Sequence, residues 1–244
     1  MVKYTKLISR LPSSVPFVGP EAEQRALSTE FIARLGANES SFGPSPRALK
    51  AIKESSTDSW MYGDPENFDL KLALARYNGV KTENIVVGEG IDGLLGYLCR
   101  LLIEPGTNVV TTKGAYPTFN YHVTGYGGIL NFVDYYKDHE DLDGLLAMVQ
   151  KKKSKLIYVS NPDNPMGTWH SRHKIEDLIK NLPEYTLLCL DEAYSEFAPV
   201  QDPIIIAPDN PRVIRMKTFS KAYGLAGIRV GYAIGAPELI KSFD

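Results

Sequence analysis

A lysine amine does covalent or proton-transfer work only when part of it is deprotonated, which burial and a neighbouring cation favour. Lys221 has a setting of that kind. It lies in KTFSKAYGLAGIRVGY, residues 217–232, just after the hydroxyls of Thr218 and Ser220 and before a run of small residues. Arg229 follows on the same segment, and its planar fork suits the oxygens of an anion. A second cluster, Gly88-Glu89-Gly90, opens a helical pattern. Backbone N–H groups at such a start, with the positive end of the helix dipole, also suit an anion. A glycine pair before a helix is weak by itself, being often only a tight turn. Two further polar clusters stand apart from these, Asp191-Glu192-Ala193-Tyr194 and Ser160-Asn161-Pro162-Asp163-Asn164-Pro165-Met166-Gly167.

All four clusters follow strand patterns. Apolar runs predict strands over 85–87, 108–112, 129–133, 155–160, 186–190 and 213–216. Helical spacing predicts helices over 92–103, 118–126, 141–152 and 171–181, with a further one starting after Pro237. Strands rich in Val, Ile and Leu, alternating with helices, predict an α/β fold with a mostly parallel sheet covered on both faces. Ligands of such sheets sit beyond the carboxyl ends of the strands, which would bring the four clusters to one rim. Residues 1–34, with Pro12, Pro16 and Pro20, read as an extended, irregular arm, and 35–244 as the main domain. No internal repeat or low-complexity segment stands out.

Composition narrows the classes of partner. The 244 residues carry a net charge of −2, so no broad basic field suggests nucleic acid. The basic run Lys151-Lys152-Lys153 with Lys155 reads as a solvated helix end that suits the helix dipole. Cys99 and Cys189 sit in apolar runs and read as small buried hydrophobes. The N-terminus lacks the apolar core of a signal peptide, and no run approaches the roughly 20 apolar residues of a membrane span. The cytoplasm is therefore the expected compartment. His170 and His173 lie three apart near a helix start, but no Cys or carboxylate pattern completes a metal site. They read as surface or capping residues. His122 and His139 support no role, and no nucleophile elbow is present.

Taken together, LGANESSFGPSP, YGDPE, GEGID, PTF, NPDNPMGT, DEAYSEF and SKAYGLAGIRVGY resemble the fold type I pyridoxal-phosphate enzymes of the class I/II aminotransferases. They are most similar to the histidinol-phosphate aminotransferase branch. The shared order and spacing run from residue 35 to 232. The resemblance implies a three-layer α/β/α large domain that binds pyridoxal 5'-phosphate. It implies that Lys221 binds the cofactor aldehyde and then moves the proton at Cα. Asp191 would pair with the ring nitrogen and keep it protonated, while Tyr194 and Asn164 would approach the ring 3-hydroxyl. Asn161 is the turn residue of its loop. Gly88, Glu89, Gly90 and Ile91, with Thr218, Ser220 and Arg229, would form the phosphate cup. Phe119 would stack on the ring, with Tyr116 as a second candidate. Tyr62 would reach across a homodimer with shared active sites, and Asn38 marks a loop on the substrate side.

The sequence departs from the family at two places. Ile91 stands where a small or hydroxyl residue is commoner, which puts a side-chain contact there in doubt but not the backbone contacts. The family also continues into a smaller C-terminal domain, which this sequence lacks. Without it, exposed apolar patches and lower stability are expected. The resemblance implies transfer of an amino group between an amino donor and a 2-oxo acid, with histidinol phosphate and 2-oxoglutarate as the pair. A decarboxylase on the same scaffold and a non-catalytic cofactor-binding domain remain alternatives.

Overall fold

The computed structural model describes residues 2–11, 18–199 and 205–243. Alternating apolar segments build a seven-stranded sheet from β1 (Ile85–Gly88), β2 (Asn108–Thr112), β3 (Ile129–Val133), β4 (Leu156–Ser160), β5 (Leu187–Asp191), β6 (Val213–Thr218) and β7 (Gly231–Ile234). The strand order is β1-β7-β6-β5-β4-β2-β3. β7 pairs antiparallel with both β1 and β6, while the other neighbours pair in parallel. Strands β1 to β6 therefore point one way, and their carboxyl ends share one edge.

Period-two alternation divides the core into two layers. Leu156, Tyr158, Cys189, Ile214 and Met216 face one side, under the helices α4 (Gly90–Leu102), α5 (Pro117–Gly125) and α8 (Pro237–Lys241). Ile157, Val159, Leu188, Leu190 and Val213 face the other, under α6 (Leu142–Lys152) and α7 (Arg172–Asn181). The α4 helix carries Leu94, Leu95, Leu98 and Cys99 with no exposed surface, an apolar stripe of helical period. Cys99 and Cys189 are both free, and burial pushes the Cys99 thiol up to about 12. A smaller cluster joins Leu74 and Ala75 of α3 (Phe68–Asn78) to Ile85, Tyr232 and Ile234. No helix among the described residues is long and apolar enough to cross a membrane.

The N-terminal region differs from the sequence expectation. Pro20–Leu27 forms a helix, α1, inside the stretch read as irregular. Pro20 occupies the first helical turn, where its missing N–H costs nothing, and Glu21 and Glu23 complement the dipole. Pro12 and Pro16 lie outside the described residues. Helix α2 (Pro46–Ser55), capped by the Ser45 hydroxyl accepting from Ala48 N–H at 3.2 Å, and α3 occupy a stretch to which no element was assigned. β7 was also not anticipated. It is four residues long and glycine-flanked, too short for an alternation signal.

On the sheet face under α6 and α7, Arg215 and Lys217 alternate with the apolar residues of β6. Arg215 grips Glu192 bidentately, through two N–H···O contacts of 2.9 Å. Lys217 Nζ lies 3.6 Å from the same carboxylate and donates to Ser195 Oγ at 2.6 Å. Burial pushes the Glu192 carboxyl up, but the two cations together hold it below its ordinary value. Removing one partner of a buried ionic group strands the others. Glu192→Gln is thus expected to cost about 3–5 kcal/mol, seen as a lower urea midpoint with an unchanged slope. A loss below about 1 kcal/mol, the scale of an exposed pair, would show that the network does not hold this face.

Candidate active site

The sheet register assembles the first corner of the site. Thr218 pairs with Gly231, and Gly231 pairs with Gly88, so β6, β7 and β1 end together. A Cβ at Gly231 would stand 2.9 Å from both the Gly90 carbonyl carbon and the Lys217 oxygen. Arg229 precedes β7 in the left-handed region, with φ 60. Its Nη1 donates to the Ala226 carbonyl at 3.0 Å and its Nη2 to the Glu89 carbonyl at 3.2 Å. Gly90 lies at φ +82, a conformation that favours glycine, and a Cβ there would lie 2.5 Å from Nη2 and displace the guanidinium. The guanidinium therefore lies over the N-terminus of α4, whose N-cap Glu89 makes no side-chain cap. Two positive features in one place suit an anion that takes backbone N–H groups and the guanidinium fork together. Ser220 N–H donates to Thr218 Oγ1 at 3.0 Å, and Thr218 donates to Ser220 Oγ at 3.0 Å, both residues being buried. Ile91 packs its side chain into the core, so it offers this corner only its backbone. Glu89 offers its carbonyl.

Asp191 ends β5 and is 5% exposed. Tyr158 Oη donates to its Oδ2 at 2.6 Å and Ala193 N–H to its Oδ1 at 2.9 Å. Burial raises the pKa of this carboxyl, and the two hydrogen bonds offset part of that. Among the described residues it has no ion-pair partner within 4.0 Å. Phe119 was expected to stack on a ligand ring. It has no exposed surface, and its ring stacks on Tyr158 with centroids 4.5 Å apart and planes at 17°. In this arrangement it supports Tyr158, and through it Asp191, instead of offering a free face. Tyr116 is half-buried, and its hydroxyl is within electrostatic reach of Asp191 and Arg229.

Lys221 lies three residues past the end of β6 and is half-buried. Its Nζ donates to the Ala37 carbonyl at 2.8 Å and stands 5.8 Å from the centre of the Tyr194 ring. Burial lowers its pKa, Glu39 and Asp191 oppose this, and Arg229 adds to the lowering. Asn38 Nδ2 donates to Tyr194 Oη at 3.0 Å. The segment carrying Ala37 and Asn38 is held by Arg34, which pairs with Glu39 at 2.6 Å and with Glu21 of α1. Asn164 and Tyr194 line a cleft of about 410 Å³ together with Asn38 and Trp169. Asn161, by contrast, is spent on the loop itself, exchanging two hydrogen bonds with the His170 backbone at 2.8 and 3.1 Å.

One expectation needs correction. His170, read as a surface or capping residue, is 6% exposed and its Nε2 donates to the Glu140 carbonyl at 2.8 Å. Its partner carbonyl at Glu140 lies 30 residues away in the chain, so its burial leaves no mark on local spacing. His173 is exposed beside Glu176. Tyr62 is 105% exposed and stands apart from the residues just described. Among the described residues no group of His, Cys, Asp and Glu could hold a metal ion. Tyr158 and Glu140 were missed. Both look like ordinary members of their segments, and only the folded arrangement of the β4 and β5 strands and the loop before α6 reveals their partners.

The arrangement can bind a carbonyl compound bearing an anionic group, because the amine of Lys221 is less protonated than a surface lysine. With its pKa lowered, acylation of Lys221 by an amine reagent is expected to reach its plateau rate at a lower pH than that of exposed Lys50 or Lys81. Peptide mapping after labelling across a pH series checks this. A plateau at the same pH for all three would contradict the lowering.

Comparison with known proteins agrees with this geometry. The family model for aminotransferase class I and II matches residues 32–244. Histidinol-phosphate aminotransferase 1 of Bacillus cereus is 34% identical over 239 residues, covering 96% of this chain and 64% of that protein. The chain thus spans just under two thirds of that relative's length. The crystal structure of histidinol-phosphate aminotransferase from Sinorhizobium meliloti in complex with pyridoxal-5'-phosphate superimposes with a TM-score of 0.94 and 52% identity. It covers all of this chain and 66% of its own. Aspartate aminotransferase from Thermus thermophilus shares the fold, with a TM-score of 0.84 at 22% identity, over all of this chain and 67% of its own. By the family match over most of its length, the chain belongs to the class I and II aminotransferases.

Proposed function

We propose that the chain is the cofactor-binding part of a pyridoxal-phosphate-dependent aminotransferase that moves an amino group between an amino donor and a 2-oxo acid. Histidinol phosphate and 2-oxoglutarate are the proposed pair, in line with the names of the similar proteins. The observation that carries the reading is the convergence of Lys221, Asp191 and the Arg229 corner at the carboxyl ends of β5, β6 and β1. These residues fit pyridoxal phosphate. Asp191 is a buried carboxylate without a cationic partner among the described residues, suited to a protonated ring nitrogen. The Arg229 fork over the start of α4 suits a phosphate monoester.

When bound, pyridoxal phosphate supplies an aldehyde and a ring that takes up the electron pair released at the substrate Cα. The protein does the rest. The Lys221 amine, held less basic by burial, binds the aldehyde and then accepts and returns the Cα proton. Asp191 keeps a proton on the ring nitrogen, and Tyr158 holds Asp191 in place. Tyr194 and Asn164, which line one cleft, would hold the ring 3-hydroxyl. Gly90, Ile91, Thr218, Ser220 and Arg229 bind the phosphate and fix the ring's orientation.

Residues 35–244 act in this reading as one cofactor-binding unit, with 1–34 as an arm. The enzyme is a cytoplasmic homodimer with shared active sites. Tyr62 and its neighbour Trp60, 105% and 80% exposed, are the residues such a partner would cover, with Tyr62 reaching the partner's phosphate. Mixing the protein with pyridoxal phosphate is expected to produce a visible absorbance band that Lys221→Ala abolishes. An identical spectrum for both proteins, each shown to be folded, would overturn the reading.

A further inference from the structure

Beneath the loop that carries Asn164 lies a carboxyl group that the chemistry above does not use. Glu140 is 1% exposed. Its Oε2 accepts from Thr112 Oγ1 at 2.5 Å, at the end of β2. Its Oε1 accepts from Ser160 N–H at 2.8 Å and lies 3.2 Å from Ser160 Oγ, at the end of β4. Its own carbonyl accepts from His170 Nε2. His170 in turn locks Asn161 by two backbone contacts. Ser160 Oγ also reaches Asp163 Oδ1 at 2.9 Å, and Asp163 Oδ2 accepts from Met166 N–H and Tyr135 Oη at 3.0 Å each. One side chain thus joins two strand ends and, through Ser160 and Asp163, the loop between Asn161 and Gly167.

We propose that Glu140 is a positioning residue for the site, fixing the loop that presents Asn164. The proposal rests on the cofactor reading only for its second readout below. An apolar residue at 140 would leave the Ser160 N–H and the Thr112 hydroxyl buried without acceptors, the costly outcome for a polar group. A carboxyl without a cation is itself expensive to bury when ionised. The groups facing this cluster are Thr112, Ser160, Asp163, Tyr135 and His170, with His139 5.4 Å from the His170 ring and Lys174 of α7 acting on His170. None of the acids is paired with a cation there among the described residues. Ser160 has one hydroxyl hydrogen and two carboxylates to serve. A proton on Glu140 resolves that conflict, since Glu140 can then donate to Thr112 and leave the Ser160 hydrogen to Asp163.

Burial, with the Asp163 charge adding to it, raises the Glu140 carboxyl from 4.5 to about 7. The folded state therefore holds a proton that the unfolded chain has released. The Glu140 contribution to stability falls as pH rises from 4.5 through about 7 and is constant outside that window.

The test compares E140A, E140Q and Leu145→Ala, a fully buried core control in α6. In the cofactor-free protein, hydrogen exchange at Met166 and Gly167 is expected to quicken about tenfold or more in E140A, the scale of one lost buried hydrogen bond. E140Q, which keeps an acceptor for Ser160, should stay within about threefold of the wild type, and L145A should lose global stability without a loop-specific effect. The affinity for pyridoxal phosphate should follow the same order. The fall in stability between pH 4.5 and 7 should be smaller in E140Q than in the wild type, because Glu140 no longer contributes to it. Loop exchange in E140A no faster than in L145A would overturn the proposal. If E140A does not fold, a fall between pH 4.5 and 7 as large in E140Q as in the wild type overturns it. Failure of the wild type to bind pyridoxal phosphate would sink the proposed function, while the exchange measurement would still decide the role of Glu140.

Discussion

Gly231 stands in register with Thr218 on one side and Gly88 on the other. The site depends on that close approach. Any Cβ there would press on the Gly90 backbone and on the Lys217 carbonyl. Without the contact, the start of α4 could not lie against the end of β6, and the Arg229 guanidinium could not rest on the Glu89 carbonyl. The reversed strand β7 is therefore the connection that carries Arg229 from the Lys221 segment back to the α4 terminus. Packing follows from the same alignment. Ala233 of β7 and Val86 of β1 join the layer under α4, while Tyr232 and Ile85 join the cluster on α3.

Charge in the site is divided between that positive corner and a buried acidic floor. Arg229, the α4 terminus and Lys221 face the open side, while Asp191 lies below on the Tyr158–Phe119 stack. Burial moves Lys221 down and Asp191 up, each toward its neutral form. A ligand carrying a cationic ring nitrogen and an anionic ester would offset both costs, because each of its charges meets the opposite one. Around this centre lie two buried networks, Glu192 with Arg215 and Lys217, and Glu140 with Thr112 and Ser160. The first fixes the segment between Asp191 and Tyr194, the second the loop before Asn164.

Much of the sheet was legible in the sequence because buried parallel strands are continuous apolar runs. The strand expected at 108–112 is β2 and that at 129–133 is β3; the one expected at 186–190 is β5, shifted by one residue. The short, glycine-flanked β7 carried no such run. Pro20 was read as part of an irregular arm, although at the first turn of α1 it starts a helix. At the site, Asp191 and Lys221 could be found because polar residues follow apolar strand segments there, and Arg229 because it shares the Lys221 segment. The partners of Asp191 could not. Tyr158 sits among apolar neighbours in β4, and its hydroxyl meets the carboxylate only through the pairing of β4 with β5. Phe119 was placed on the right element, but its burial depends on Tyr158, a contact between residues 39 apart in the chain.

The most direct test of the account compares pyridoxal phosphate with pyridoxal, which lacks the phosphate, as ligands of the wild type and of Arg229→Ala. Both affinities can be read from the absorbance of the bound aldehyde. If Arg229 and the start of α4 form the anion corner, the variant should lose about 10- to 150-fold in affinity for pyridoxal phosphate, the range of a lost charge-assisted contact, and hardly any for pyridoxal. Equal losses for the two ligands, or no loss for either, would contradict the central claim that this corner of the sheet is built around a phosphate.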